Sequence, residues 1–169
     1  TVEDGTGKSN ADSYGATATV TTYNTNYVGS TAWSSASSTA QEIAARKATQ
    51  YLDLNFDGLW RGNKASSTQS LSWPRINVVD SDGYPIDSTV LPTRLIQAFC
   101  ELSIRAISEE LMADVTSDNS GTIIEEEVKL GPIMTLNKYS GGKSTANSYP
   151  RIDALVAPLI TGSGVVERG

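Results

Sequence analysis

The chain contains no histidine and only one cysteine. Without histidine it lacks the commonest general base and every Ser-His or Cys-His pair that activates a nucleophile. The single cysteine, Cys100, cannot form an intramolecular disulfide, and no cluster of cysteine and histidine is available to hold zinc. We therefore expect a protein that is not an enzyme and that needs neither a cofactor nor a metal.

Long apolar runs are missing as well. No stretch approaches the roughly 20 consecutive apolar residues of a membrane span, and the first residues lack the basic and apolar parts of a signal peptide. We expect no membrane partner and no export by that route. The 169 residues fit one domain, which we place at residues 1–161. Residues 162–169 begin with Gly162-Ser163-Gly164 and are predicted to form a flexible tail.

Positive charge is scarce too. The chain has 13 lysines and arginines against 19 aspartates and glutamates, which gives a net charge of -6. A negative chain repels the phosphate backbone, so general binding of nucleic acid is disfavoured. A local basic patch remains compatible with this total.

Apolar periodicity predicts four helices, near residues 17–28, 39–55, 92–111 and 150–161. Thr39 and Glu42 have the spacing of a capping box at the start of the second helix. The third helix carries two apolar rows and leaves only a narrow polar strip, which includes Glu101. Such a helix is either central in a bundle or covered by a neighbouring subunit. Residues 1–13 have no periodicity and indicate an extended arm or loop.

Residues 122–139 alternate in polarity on both sides of Gly131-Pro132, which predicts a β-hairpin. Glu125, Glu126 and Glu127 resist burial, so one face of this hairpin is expected to meet water. The predicted fold class is mainly α: a small bundle of about four helices with one β-hairpin and with extended N- and C-terminal arms.

All three tryptophans lie between Trp33 and Trp73, and two of them belong to arginine motifs. These motifs are Trp60-Arg61-Gly62 and Leu71-Ser72-Trp73-Pro74-Arg75. Trp33 stands in a serine-rich connector that cannot form a core by itself. Indole rings beside guanidinium groups are enriched in buried contact centres, although the same rings can close the chain's own core. We expect Trp33 and both motifs to form an interface, with the core as the open alternative.

The same region favours a competing hypothesis, because basic and aromatic residues alternate in it. Stacking rings and positive charge are what proteins use to hold single-stranded nucleic acid. In the alternative, the arginines pair with acidic groups across a subunit contact, and the acidic total favours this second interpretation. The basic residues concerned are Arg46, Lys47, Arg61, Lys64 and Arg75.

Two short motifs imitate ligand sites without matching them. Gly5-Thr6-Gly7-Lys8-Ser9 resembles the end of a phosphate-binding loop, but Val2 stands where that loop needs a glycine. Residues 116–127 hold some positions of a calcium loop, but Thr116 replaces the first aspartate. Asp80 and Asp82 lie in a run of turn-forming residues, and nothing orients them for acid-base work. We therefore expect neither nucleotide nor metal binding.

Several motifs follow one another along the chain: residues 1–7, 48–53, Trp60-Arg61-Gly62, Leu71-Ser72-Trp73-Pro74-Arg75, Asp82-Gly83, Gly131-Pro132-Ile133 and residues 149–155. Taken in order, they resemble those of the head-tail connector, or adaptor, proteins of tailed bacteriophages. The resemblance spans nearly the whole chain, and the spacing of its Trp-Arg-Gly and Trp-Pro-Arg elements is the most specific part. Related sequences are often labelled DnaT-like single-stranded DNA-binding proteins. The departures are a threonine-rich first helix and the glutamate run.

The resemblance implies a structural virion protein that forms a ring of about twelve copies beneath the portal protein. Such a ring extends the DNA channel, seats a downstream tail or stopper protein and lets double-stranded genomic DNA pass without sequence-specific binding. The protein would reside at the head-tail interface of the virion, and in the host cytoplasm during assembly. The alternative is a DnaT-like replication module that binds single-stranded DNA.

The resemblance also assigns roles to particular residues. Tyr149 and Arg151 join the expected subunit or portal interface. Because an acidic wall repels phosphate, Glu125, Glu126 and Glu127, or another acidic strip, are expected to face the channel. The tail is expected to order only when it docks on the portal. Its expected contact residues are Val165, Val166 and Arg168.

Overall fold

The computed structural model describes residues 1–112 and 149–161, and the backbone of two strands at 123–129 and 134–139. The predicted mainly helical fold with a β-hairpin is confirmed. In chain order the elements are α1 (Thr17–Tyr23), a π-helical turn (Asn24–Val28), α2 (Thr31–Ser35), α3 (Ser38–Asn55), β1 (Asn63–Lys64), β2 (Arg75–Ile76), α4 (Thr93–Arg105), β3 (Ile123–Lys129), β4 (Met134–Tyr139), α5 (Pro150–Val156) and a 3-10 turn (Ala157–Leu159).

The chain divides into two compact units, one formed by Thr1–Leu111 with Tyr149–Gly169 and the other by Met112–Ser148. In the second unit, β3 and β4 pair antiparallel, which confirms the predicted hairpin. The glutamate run lies on β3, where Glu125 is opposite Lys138 and Glu127 is opposite Leu136. Only the backbone of these strands is described, so the channel-facing role of the run stays a prediction. Residues 116–121 of the calcium-like motif lie outside the described residues.

Helix α4 is the centre of the first unit. It packs against α1, α3 and α5, and Leu95, Phe99 and Leu102 are fully buried between them. The chain's own helices therefore cover the apolar rows of α4, as predicted for a helix at the centre of a bundle. Glu101 was expected on a polar strip, but it is only 4% exposed. The helix ends at Arg105, earlier than the predicted residue 111.

The helix starts depend on local hydroxyl groups. Helix α3 begins after Ser37, whose Oγ accepts a hydrogen bond from the Ala40 N–H at 3.2 Å, so the predicted cap at Thr39 is wrong. Several hydroxyl side chains precede this helix, and the one with extended backbone geometry takes the cap. Trp33 does not lie in a connector either. It lies in α2, where the Ser30 Oγ accepts from its N–H.

The first 13 residues form a loop that folds back on itself instead of an extended arm. Val2 pairs with Ser13, and the buried carboxylate of Glu3 lies inside the curve of the loop. Backbone N–H groups normally wrap a phosphate in such a glycine-rich curve. Here the internal carboxylate occupies that position, which explains why the resemblance to a phosphate loop is superficial. The N–H groups of Asp4, Gly5, Gly7 and Lys8 donate to it at 2.9–3.1 Å.

The glycine of the Trp-Arg-Gly motif has a steric cause. Gly62 has a φ of 68°, and a Cβ atom there would lie 2.1 Å from the backbone oxygen of Ile76. That oxygen belongs to β2, which pairs with β1 directly after the glycine. Any larger side chain would therefore push the two short strands apart.

We predict that Gly62→Ala lowers the free energy of unfolding by about 1–3 kcal/mol more than Gly58→Ala does. Gly58 is the matched control, because its φ is 71° and its added Cβ would meet nothing within 4 Å. Gly58→Ala thus measures the left-handed backbone cost alone, about 1–2 kcal/mol. Urea denaturation of both variants gives the comparison, and equal losses would contradict the steric account.

Candidate functional site

The three indole rings are part of the core. Trp33 and Trp73 have no exposed surface, and Trp60 is 5% exposed. The rings therefore lie in the core, which was the open alternative, and the expectation that these rings anchor an interface is wrong. Trp60 and Trp73 pack edge to face with centroids 5.9 Å apart, and Phe56 lies against Trp60. Such pairs bury a large apolar area and add the favourable edge-to-face contact of their rings.

The arginine of the first motif ties the middle of the chain to its last helical turn. The backbone N–H of Arg61 donates to the Leu159 oxygen at 3.0 Å, and its Nε donates to the Ile160 oxygen at 2.9 Å. Trp60 forms a bridge with Ile160 as well. The Arg61 side chain is therefore engaged within the chain, and it forms no ion pair with a carboxylate in the part of the chain that the structure describes.

Arg75, from the second motif, fastens the two motifs together. Its Nε donates to the Arg61 oxygen at 2.7 Å, Nη1 to the Ser72 oxygen at 3.1 Å and Nη2 to the Gly62 oxygen at 2.8 Å. Burial lowers the pKa of the Arg75 guanidinium below its ordinary value. The spacing of the two motifs thus reflects an internal clamp. This clamp was not predicted, because an arginine beside an indole has the same sequence pattern whether its partner lies within the chain or outside it.

A half-buried carboxyl group, that of Asp53, holds the Trp73 segment against α3. The Tyr14 hydroxyl donates to the Asp53 carboxylate, and the Ser72 N–H donates to the other oxygen at 3.1 Å. The Trp73 N–H in turn donates to the Tyr14 hydroxyl at 3.3 Å. Burial raises the pKa of Asp53, and burial together with the Asp53 charge raises the pKa of Tyr14. The hydrogen-bond donors to Asp53 belong to the same chain, so the carboxylate serves to hold the fold together.

A second carboxylate is buried near the surface formed by α4 and α5. Glu101 Oε1 is 3.0 Å from Arg151 Nη2 and accepts a hydrogen bond from the Tyr23 hydroxyl at 2.9 Å. Arg105 approaches the other oxygen at 3.9 Å and lies over the Tyr149 ring. Burial and the hydrogen bond to Glu101 raise the pKa of Tyr23 to about 12. Two partly exposed guanidinium groups share one carboxylate, which leaves a local surplus of positive charge on an acidic chain.

An exposed aromatic ring extends this cluster. Tyr27 is 66% exposed and stacks on Tyr23 with centroids 4.9 Å apart. It is presented by the π-helical turn, a rare geometry that is frequent at functional sites. The ring borders a groove between α1 and α4 that Ile96 also lines. We call the five side chains of this cluster the Tyr–Arg patch: Tyr23, Tyr27, Arg105, Tyr149 and Arg151.

The predicted site residues are thus distributed unevenly. The structure brings Tyr149 and Arg151 together in the Tyr–Arg patch, with Tyr149 buried and Arg151 exposed. Val165, Val166 and Arg168 lie outside the described residues. The basic residues before Trp60 are held by carboxylates: Arg46 pairs with Asp12 at 3.0 Å, and Lys47 pairs with Glu110 at 2.6 Å.

The described residues contain no group of histidine, cysteine or carboxylate side chains placed to hold a metal ion. None of the described helices has the length and apolar character needed to cross a membrane. Sequence reasoning missed the partnership of Tyr23 with Glu101, because the two residues are far apart in the chain. The sequence did carry one signal: Glu101 is an acidic residue flanked by apolar residues on an otherwise covered helix, which indicates a buried carboxylate that needs a partner.

We predict that Arg75→Lys lowers the free energy of unfolding by about 1–3 kcal/mol. Lysine keeps the charge but cannot reproduce the planar fork that reaches three carbonyl groups. Arg94→Lys is the matched control, since Arg94 is exposed and has no ion-pair partner among the described residues. Urea denaturation measures both variants, and an unchanged Arg75→Lys midpoint would rule out the internal clamp.

Residues 1–169 match a family described as Putative DnaT-like ssDNA binding protein. No curated protein and no solved structure matches the chain significantly. The family match covers both Trp–Arg motifs, the hairpin and every residue of the Tyr–Arg patch. The chain therefore belongs to the DnaT-like ssDNA binding protein family.

Proposed function

We propose that this member of the family is a structural virion protein of a tailed bacteriophage. In this proposal it is a head-tail adaptor that forms a ring under the portal, extends the DNA channel and provides the attachment site of the tail. The observation that carries the proposal is the inward orientation of the Trp–Arg motifs. Trp60 and Trp73 are buried, and the Arg61 and Arg75 side chains bond to backbone carbonyls.

These motifs are the most specific part of the resemblance to phage connectors, and they also supplied the strongest argument for holding single-stranded DNA. Because their rings and guanidinium groups are used inside the chain, they support a rigid scaffold and leave no stacking platform at this position. A protein whose most specific residues build its own frame is suited to a structural role in an assembly.

The surface supports self-association. Large apolar side chains remain exposed on the first unit, among them Tyr27 and Val28 on the π-helical turn. A groove beside this turn shares Thr19 and Ile96 with an adjoining groove that Val90 and Leu91 line, so apolar side chains extend from one groove into the next. Contiguous apolar surface on a soluble domain marks a contact with another molecule. In a ring, the neighbouring copies would cover it.

The charge of the chain is compatible with a DNA conduit. A net charge of -6 repels phosphate, so double-stranded DNA would pass such a wall without being retained. The surplus positive charge of the Tyr–Arg patch then serves protein contacts, with the portal or with a neighbouring copy. A ring whose channel is lined by basic side chains would contradict this part of the proposal.

We predict that the full chain decorates its portal with a ring of about twelve copies and that deletion of residues 162–169 abolishes this binding. The two valines of the tail would order on the portal surface and lose their apolar contact when deleted. Co-sedimentation and electron microscopy of chain and portal mixtures measure the effect. Thermal unfolding of the truncated chain is the control for intact folding.

The two outcomes of this experiment separate two ideas. A full chain that leaves the portal bare would overturn the adaptor proposal. A truncated chain that decorates the portal as well as the full chain does would overturn only the docking of the tail.

The second candidate function is binding of single-stranded DNA, which the description of the family suggests. One observation favours it: the exposed ring of Tyr27 packs on Tyr23, whose hydroxyl accepts from Arg151 Nη2 at 3.3 Å, and Arg105 approaches the same Glu101 carboxylate. A ring face for a base and cations for phosphates are the combination that such binding requires. If this chain holds a single strand at its described surface, the Tyr–Arg patch is the place.

We predict that the isolated chain shows no salt-dependent capture of a fluorescent oligothymidine, as measured by anisotropy at low and moderate salt. The second candidate predicts the opposite. It also predicts that Tyr27→Ala weakens binding roughly 5- to 150-fold, because loss of one stacked base costs about 1–3 kcal/mol. Tyr84→Ala is the matched control, since Tyr84 is 70% exposed and lies in the loop between Asp80 and Ile86. Capture that Tyr27→Ala alone weakens would favour the second candidate.

A further inference from the structure

An apolar groove lies beside the C-terminal end of the described chain. Its floor and walls come from the loop before α4, from the start of α4 and from the last helical turn. Val90, on one wall, is 53% exposed, and Leu159, on the other, is buried. The groove encloses about 350 Å³. We call it the Leu91 groove after a residue between these walls, and its apolar lining is Ile86, Val90, Leu91, Pro92, Pro158 and Leu159.

Two opposite charges lie at the Leu91 groove. Asp80 and Arg94 both line it, and neither forms an ion pair within the described residues. One oxygen of Asp80 accepts hydrogen bonds from the N–H groups of Asp82 and Tyr84, which fixes the position of the carboxylate. The groove therefore suits a short apolar segment that carries one negative and one positive side chain.

The end of the same chain has this composition. Residues 162–169 read Gly-Ser-Gly-Val-Val-Glu-Arg-Gly, with Val165 and Val166 followed by Glu167 and Arg168. Thr161 is held by two hydrogen bonds to the Leu59 oxygen, at 2.7 and 3.0 Å. The segment therefore starts directly after a fixed residue and three positions beyond Leu159 on the groove wall. Gly162, Ser163 and Gly164 can reverse direction, and each residue spans up to about 3.4 Å.

We propose that residues 165–168 occupy the Leu91 groove of their own chain in the free protein, which replaces the expectation that the tail orders only on the portal. Val165 and Val166 fill the apolar groove, Glu167 faces Arg94 and Arg168 faces Asp80. A segment tethered this closely has a high effective concentration at the groove, so a small apolar contact is sufficient to hold it. The occupant is the chain's own end and not that of a neighbour, because the tether begins at the groove wall.

This arrangement would regulate the contact with the portal, and that consequence rests on the proposed function. The same two valines are expected to dock on the portal, so they must leave the Leu91 groove first. A free chain would then hide its docking segment, and a portal would release it by offering a better apolar site. The arrangement within the free chain can be tested without any portal.

The test is disulfide trapping in the full chain with oxidised glutathione as the oxidant. In Val90→Cys/Val166→Cys, the two thiols form a disulfide and the glutathione dimer is reduced to two thiols. Cys100 is fully buried, and burial raises its pKa to about 12, so it does not compete. The matched control is Val28→Cys/Val166→Cys, because Val28 is also partly exposed but lies on the π-helical turn.

We expect the groove pair to cross-link within one chain at least tenfold faster than the control pair, at a rate independent of protein concentration. Arg94→Glu should slow the reaction, and adding Glu167→Arg should restore it. Equal rates for the two pairs would overturn the proposal, as would cross-linked dimers, which would show that the tail of another copy fills the groove.

The regulatory step has its own readout. The cross-linked chain should fail to bind the portal, and reduction of the disulfide should restore binding. If cross-linked chains bind the portal normally, the groove and the portal do not compete for the tail. The docking of the tail within the free chain would still stand. A reduced full chain that does not bind the portal would instead count against the adaptor proposal.

Discussion

Arg75 donates hydrogen bonds to the backbone carbonyls of Arg61, Gly62 and Ser72, and the arrangement of the middle of the chain depends on this side chain. Between α3 and α4 the backbone forms only two strands of two residues each, so few carbonyls find partners in a sheet. A guanidinium carries five donors in a fixed plane and can therefore satisfy two separate loops at once. With these loops fixed, the two indole rings pack edge to face beneath them.

Two carboxylates, one half-buried and one fully buried, fix the same unit at two further points. Asp53 on α3 accepts from Tyr14 and from the Ser72 N–H, and Glu101 on α4 accepts from Tyr23 and pairs with Arg151. A buried charge is tolerated only when it is paired and hydrogen-bonded, so each carboxylate specifies one arrangement of distant segments. The polar groups thus define a fixed framework. Such a framework is compatible with a component that acts by shape and contact.

Much of the fold followed from local patterns. The helices were predicted because apolar spacing and the glycine and proline breaks are properties of neighbouring residues. Gly29 ends the first helical segment with a φ of 72°, and the turn-forming run from Asp80 closes a tight loop. The errors arose where several residues were locally equivalent. Ser37 caps α3 although Thr39 had the better sequence pattern, because the choice among nearby hydroxyl groups depends on the direction from which the chain enters the helix.

The sequence by itself determined the helical class, the hairpin and the lack of histidine-based chemistry, since each depends on composition or on residues close together in the chain. Only the tertiary structure decided that the indoles of Trp60 and Trp73 belong to the core and that Arg75 serves the backbone. An indole beside an arginine has the same sequence pattern in a core and in an interface. Its orientation is set by segments far away in the chain, such as Tyr14 and Ile160, whose positions no local pattern contains.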